Sequence, residues 1–118
     1  MAVVSSHVLD SIEGISARGV RVELFRLSGP SGRARVLETV TDDEGRISES
    51  VDVESDPPDT QYELVFYGGD YFASRNVSRG ESQIMNAVVF RITMPKPDAR
   101  YHIPVMLSLH SYSVWWSG

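Results

Sequence analysis

The chain has 118 residues, a net charge of −5 and no cysteine, and 42% of its residues are hydrophobic. This length fits a single domain, residues 1–118, with one hydrophobic core. A net acidic chain without a Lys/Arg cluster is not expected to bind nucleic acid or an anionic membrane surface, and the lack of cysteine excludes disulfides, thiolate metal sites and a cysteine nucleophile. There is no signal-peptide pattern, and no apolar stretch approaches the roughly 20 residues that cross a bilayer. We therefore expect a cytoplasmic protein that binds a small molecule or another protein.

Several short segments alternate apolar and polar residues, which is typical of strands with one buried face. In chain order they cover residues 20–25, 35–41, 61–66, 88–94, 101–107 and 111–116. Turns rich in Gly, Pro, Ser and Asp separate them, at residues 28–32, 42–45 and 56–59. Residues 70–76 are the only candidate for a helix, and the polar residues 76–83 are predicted to form a loop. Seven or eight short strands with these turns predict an antiparallel β-sandwich.

Three stretches carry a resemblance to a known family. They are Ser6-His7-Val8-Leu9-Asp10 with the strand that follows at 20–24, Thr41-Asp42-Asp43-Glu44-Gly45-Arg46, and residues 100–108 with Ser111-Tyr112-Ser113. In order and spacing they resemble the transthyretin-like family, whose bacterial members hydrolyse 5-hydroxyisourate, a purine metabolite. The resemblance covers essentially the whole chain. It implies two four-stranded antiparallel sheets packed face to face with one short helix, and a homotetramer formed as a dimer of dimers with active sites in the channel between dimers.

The resemblance also identifies candidate catalytic residues. His7, Arg46 and His102 match the positions where the hydrolase branch of the family has its functional histidine, arginine and histidine, and transthyretin itself has other residue types there. Opening a cyclic ureide requires a water to lose a proton, an oxyanion to be stabilised and the departing nitrogen to gain a proton. Two imidazoles and one guanidinium suit these tasks, so neither a metal nor a cofactor is expected.

Each of the three residues also has a simpler interpretation when taken alone. A histidine near an N-terminus is usually a surface or edge-strand residue, and an arginine after a glycine turn is usually solvated. Strand parity places His102 opposite Tyr101 and Ile103, and therefore on the outer face of its sheet or in an interface. The joint match of the three residues is what favours a site. His110 has no corresponding role and is predicted to lie in a loop.

The C-terminal tail departs from the hydrolase pattern. The hydrolases end in Tyr-Arg-Gly-Ser, which binds substrate, and this chain has Trp115, Trp116, Ser117 and Gly118 in register. Upstream, Arg100, Leu109 and His110 replace a histidine, a proline and a tyrosine of the family pattern. We expect Trp115, Trp116 and Ser117 to bind substrate. The alternative is that the two tryptophans pack in a subunit interface, where large aromatic side chains often act as anchors.

Three functions follow from these observations. The first is a 5-hydroxyisourate hydrolase that uses His7, Arg46 and His102. The second is an enzyme on the same scaffold that acts on a larger or more aromatic molecule of secondary metabolism by ring opening, cyclisation or isomerisation, as the changed tail suggests. The third is a non-catalytic ligand-binding protein, which Arg100 favours because the corresponding motif of the carrier branch also begins Arg-Tyr.

Overall fold

The computed structural model describes residues 1–78 and 83–116. Within these ranges the chain forms ten strands and one helix. In order they are β1 Ala2–Asp10, β2 Ile15–Ser16, β3 Arg21–Ser28, β4 Gly32–Val40, β5 Arg46–Val51, β6 Gln61–Phe66, α1 Gly68–Ser74, β7 Val88–Thr93, β8 Arg100–His102, β9 Val105–Leu107 and β10 Tyr112–Val114. The predicted all-β class is confirmed.

One sheet is antiparallel and has the strand order β4-β3-β6-β7. Its strands alternate as predicted, because Val22 pairs with Phe66 and Leu24 with Leu64, so that all four side chains share the buried face. Arginine and glutamate side chains alternate with them on the other face, where Arg33 and Arg91 both pair with Glu63. This sheet forms one layer of the sandwich.

The second sheet is built around β1. Strand β5 pairs antiparallel with β1, β8 and β9 pair parallel with successive parts of it, β10 pairs with β9, and the two-residue β2 pairs with the end of β1. Strands β8 and β9 lie end to end on one side of β1, and β5 and β2 lie end to end on its other side. Together with β1 and β10, the six segments therefore occupy four strand positions. The predicted pair of four-stranded sheets is therefore confirmed.

The predicted strand over residues 101–107 is interrupted, and the prediction of one continuous strand was wrong. It divides into β8 and β9 on either side of Ile103 and Pro104. Proline has no backbone N–H and cannot donate to a sheet ladder. The Ile103 carbonyl instead accepts a 2.6 Å hydrogen bond from the Ser6 hydroxyl, and the Ile103 N–H donates to the Ser5 carbonyl.

The core lies between the two sheets. Val4 and Val8 of β1 meet Leu24, Leu64 and other residues of the four-stranded sheet, and all four are at most 2% exposed. Each fully buried aliphatic side chain contributes about 1.5–3 kcal/mol to stability. The core therefore fixes which residues of β1 face inward and which face outward.

Hydrogen bonds and ion pairs hold the short helix α1 against the end of β1. Asp10, 1% exposed, accepts hydrogen bonds from the backbone N–H groups of Ile12 and Glu13 and from the Tyr71 hydroxyl of α1. Arg75, just after the helix, forms ion pairs with both Asp10 and Glu13. The position of β1 relative to α1 thus depends on one buried carboxylate.

The helix begins and ends two residues earlier than the predicted span of residues 70–76. Residues 79–82 of the predicted loop lie outside the described ranges, as does Ser117. With seven residues, α1 is far too short to cross a membrane, and the described residues contain no longer apolar helix.

Candidate active site

The outward-facing side of β1 brings the three candidate residues together. His7 lies directly opposite Arg46 of β5, and Ser5, two residues earlier on the same face, lies opposite His102 of β8. Directly paired residues have their Cβ atoms roughly 4.5–5.5 Å apart. The structure therefore places His7, Arg46 and His102 on one surface of the central strand and its two neighbours, and the predicted outer-face position of His102 is confirmed.

The turn before β5 positions Arg46. The Asp42 carboxylate accepts 2.9 Å hydrogen bonds from the backbone N–H groups of both Glu44 and Arg46, and Gly45 has φ +76°. A Cβ atom on Gly45 would lie 2.5 Å from the Val8 carbonyl oxygen. Glycine is therefore required here both by the left-handed backbone and by the close approach of β1.

Asp42 also supplies negative charge beside the site. Its hydrogen bonds from the backbone, first of all that from Arg46, lower the pKa of Asp42, and the charges of Arg46 and His7 act in the same direction. The carboxylate is thus ionised at neutral pH. Among the described residues the Arg46 guanidinium forms no ion pair, so its donors are free to meet a ligand.

The two histidines have different surroundings. His7 Nε2 lies 3.2 Å from the Ser16 hydroxyl, whereas His102 Nδ1 lies 2.9 Å from the hydroxyl of Ser5. Burial lowers the pKa of His102 from its ordinary 6.5, and the nearby positive charges of Arg46, His7 and Arg100 lower it further. His102 is therefore a neutral imidazole at neutral pH.

This arrangement has the groups that general acid–base chemistry needs. A neutral imidazole, a second imidazole and a free guanidinium share one polar surface, together with the exposed hydroxyls of Ser48 and Ser50 on β5. Such groups can bind an oxygen-rich ring and polarise a carbonyl. Since the surface is the outer face of a sheet, the described part of the chain supplies one wall of the site.

The tail tryptophans lie elsewhere in the single chain. Trp115 and Trp116 are 44% and 69% exposed. They line a pocket of about 600 Å³, called the edge pocket below, where the edge strands β7 and β10 approach each other. Its other described lining residues are mainly apolar and come from β7, β8 and the turn between them: Phe90, Ile92, Thr93, Pro95, Lys96, Ala99, Arg100, Tyr101, Ile103 and Val114. None of His7, Arg46 and His102 belongs to it. Arg100 is close to both regions, because it lines the pocket and its positive charge lowers the pKa of His102.

Sequence reasoning missed three polar residues of the site. Ser5, Ser16 and Asp42 contact the candidate residues through side-chain or turn hydrogen bonds. Ser5 could have been placed on the face of His7 by its two-residue spacing. Its contact with His102 could not, because that depends on the pairing of strands 97 residues apart.

Comparisons with known proteins find similar sequences and structures. The family model described as HIUase/Transthyretin family matches residues 4–116. A 5-hydroxyisourate hydrolase of Pseudomonas aeruginosa is 34% identical over 115 residues, which cover 98% of this chain and 90% of that protein. The crystal structure of an (S)-allantoin synthase superposes with a TM-score of 0.82 at 32% identity; the match covers 99% of this chain but only 44% of that one. The 5-hydroxyisourate hydrolase of Klebsiella pneumoniae has the same fold over the full length of both chains, with a TM-score of 0.77 and 23% identity.

Proposed function

Because this chain belongs to the HIUase/Transthyretin family, we propose that it is a 5-hydroxyisourate hydrolase or a close functional relative that opens a cyclic ureide without a covalent intermediate. The observation that carries the proposal is the cluster of His7, Arg46 and His102 on the outer face around β1. Relatives named 5-hydroxyisourate hydrolase at about one-third identity support the substrate class.

The proposed reaction is the attack of water on a ring carbonyl. One water proton passes to an imidazole as the oxygen bonds to the carbonyl carbon, and the ring C–N bond then breaks as the nitrogen receives a proton. Arg46 holds the oxygen of the carbonyl and stabilises the negative charge that develops there. His7 and His102 provide the proton-accepting and hydrogen-donating groups. The reaction consumes only water and the substrate.

The changed tail favours a second candidate, a related enzyme with a larger or more aromatic substrate. Trp116 stands where the hydrolase pattern has an arginine, and losing one charge-assisted hydrogen bond costs about 1.5–3 kcal/mol. The specific observation is the pocket lined by Trp115 and Trp116, whose size suits a drug-sized ligand. In either candidate we assign substrate binding to Trp115, Trp116 and Ser117.

Assembly as a homotetramer, a dimer of dimers, is part of the proposal. Two features support it: β7 and β10 are edge strands of the two sheets, and the described residues of one chain form one wall of the candidate site. Exposed strand edges are commonly covered by pairing with another copy. Sedimentation equilibrium across a range of protein concentrations is expected to give four times the 13.1 kDa chain mass. A monomer at all concentrations would refute this part.

The test of the function is an ultraviolet time course of 5-hydroxyisourate generated in situ with urate oxidase. We expect the wild type to accelerate its decay and His102→Ala to abolish the acceleration. His110→Ala is the matched control, because His110 is exposed in a bend away from the site and its loss is expected to leave the rate unchanged. Decay no faster than in buffer would reject the hydrolase and direct the search to aromatic substrates.

A further inference from the structure

The hydroxyl of Ser5 has an unusually restricted environment. Ser5 is 4% exposed although it lies on the outward-facing side of β1. Among the described residues its hydroxyl has a single hydrogen-bond partner, Nδ1 of His102 at 2.9 Å. The direction of this one hydrogen bond therefore decides the state of both groups.

The cost of an unmade hydrogen bond determines that direction. If Nδ1–H donated to the serine oxygen, the buried O–H would be left without an acceptor, which costs about 1–3 kcal/mol. If the serine donates, its O–H is satisfied and only lone pairs remain unused. Ser5 is therefore expected to be the donor and Nδ1 of His102 the acceptor.

The charges around His102 favour the same state. Arg46 from β5 and Arg100 from β8 are cationic, and His7 from β1 faces the same surface. All three disfavour a positive imidazolium at this position. A neutral imidazole whose Nδ1 accepts a hydrogen bond carries its proton on Nε2.

We propose that Ser5 is a positioning residue that holds His102 as the neutral Nε2–H tautomer, so that Nε2–H donates a hydrogen bond to the substrate oxygen that becomes negative during the attack. No described residue forms a hydrogen bond with Nε2, so this N–H is available. A neutral imidazole can polarise a carbonyl in this way without giving up its proton. The inference rests on the proposed function for the identity of that oxygen.

This assignment leaves proton transfer to His7. The water gives its proton to His7 as its oxygen bonds to the carbonyl carbon, and His7 returns that proton to the ring nitrogen as the C–N bond breaks. One imidazole thus completes the proton cycle. His102 and Arg46 both stabilise the oxyanion.

The test is a long-range 1H–15N spectrum of the histidine side chains in the 15N-labelled protein near neutral pH. The chain has three histidines, and His102→Asn identifies the signals of His102. We expect a pyridine-like Nδ1 and a pyrrole-like Nε2 in the wild type, a loss of this preference in Ser5→Ala, and its return in Ser5→Thr, which keeps a hydroxyl. Ser28→Ala is the matched control, because Ser28 is an exposed serine at the end of β3 in the other sheet.

A protonated Nδ1 in the wild type, or an unchanged tautomer in Ser5→Ala, would overturn the proposal. This readout needs no substrate, so it stands even if the protein proves not to hydrolyse 5-hydroxyisourate. If it does, Ser5→Ala is expected to lower kcat by about 2- to 10-fold with little change in KM, because the lost hydrogen bond matters in the transition state. An equal fall for Ser28→Ala would also count against the assignment.

Discussion

The outer face around β1 and the edge pocket beside the tail differ in how the fold builds them. On the outer face, polar side chains are positioned by strand register, by the Asp42 turn and by hydroxyl contacts to both histidines. At the edge pocket, apolar side chains from two sheet edges meet exposed tryptophans that follow the last strand. The first region is preorganised for polar chemistry within one chain. The second offers apolar surface with two cations, Lys96 and Arg100, among its lining residues.

This difference suggests that catalysis and substrate preference depend on different parts of the molecule. The proposed chemistry depends on the centre of a sheet, where backbone pairing fixes each side chain. The tail can change its residues at the edge without moving those groups. A substrate preference that differs from that of the relatives is therefore expected to come from the edge pocket and tail.

The largest expected effect is on the chemical step at the outer face. Arg46→Ala is expected to lower kcat for 5-hydroxyisourate by about 100- to 1,000-fold, because it removes the cation that stabilises the oxyanion. Arg91→Ala, an exposed arginine on the other sheet, is the control and is expected to leave kcat unchanged. Steady-state kinetics of both variants measure the difference. Equal rates for Arg46→Ala and the wild type would remove Arg46 from the mechanism.

A backbone effect is expected at the turn that carries Arg46. Gly45→Ala is expected to destabilise the fold by about 3 kcal/mol or more, since the new Cβ meets the Val8 carbonyl in a left-handed backbone. Gly14→Ala has a similar φ, +73°, but open space around its Cβ, so it is expected to cost only about 1–2 kcal/mol. Urea unfolding of the two variants provides the comparison. Similar losses in both would show that the contact with β1 does not matter.

A substitution in the edge pocket is expected to change ligand binding. Trp116→Ala is expected to weaken the binding of anilinonaphthalene sulfonate, an aromatic anion, by about 10-fold, because an indole face is lost from the lining. Ile12→Ala, which removes an exposed apolar side chain outside the pocket, is the control. Fluorescence titration measures both. Binding that is insensitive to Trp116 would place the probe elsewhere.

The smallest expected effect is the pH dependence of stability. Because the pKa of His102 is lowered in the folded protein, the unfolded chain binds more protons just below pH 6.5, and stability falls as the pH drops through that region. Asp42, Glu23 and Asp56 have pKa values below their ordinary 3.8 or 4.5, so their contributions are lost only at lower pH. Urea unfolding at about pH 7 and about pH 5 is expected to show a loss under about 1 kcal/mol that shrinks in His102→Gln. An unchanged loss in that variant would assign the dependence to another group.

The sequence was informative where local pattern decides structure. Alternation predicted β6 and β7 closely and put His102 on the outer face, and the family resemblance supplied the two-sheet arrangement. It failed where contacts join distant segments. The break at Pro104 depends on Ser6 and Ile103, and the capping role of Asp10 depends on Tyr71 of α1.

In the candidate site, too, contacts between distant segments could not be predicted from the sequence. His7, Arg46 and His102 were identified by resemblance, but the Ser5 contact to His102 follows from a parallel pairing that no local pattern reveals. The pocket beside Trp115 and Trp116 depends on how two sheet edges approach each other. Neither is encoded in the spacing of residues along one strand.

The most direct test of the account compares His7→Ala and Trp116→Ala in the same 5-hydroxyisourate assay. If the outer face performs the chemistry, His7→Ala loses nearly all acceleration, and Trp116→Ala keeps kcat within a small factor of the wild type while KM changes. If instead Trp116→Ala abolishes kcat and His7→Ala retains it, the chemistry belongs to the edge pocket and the proposed division of the molecule is wrong.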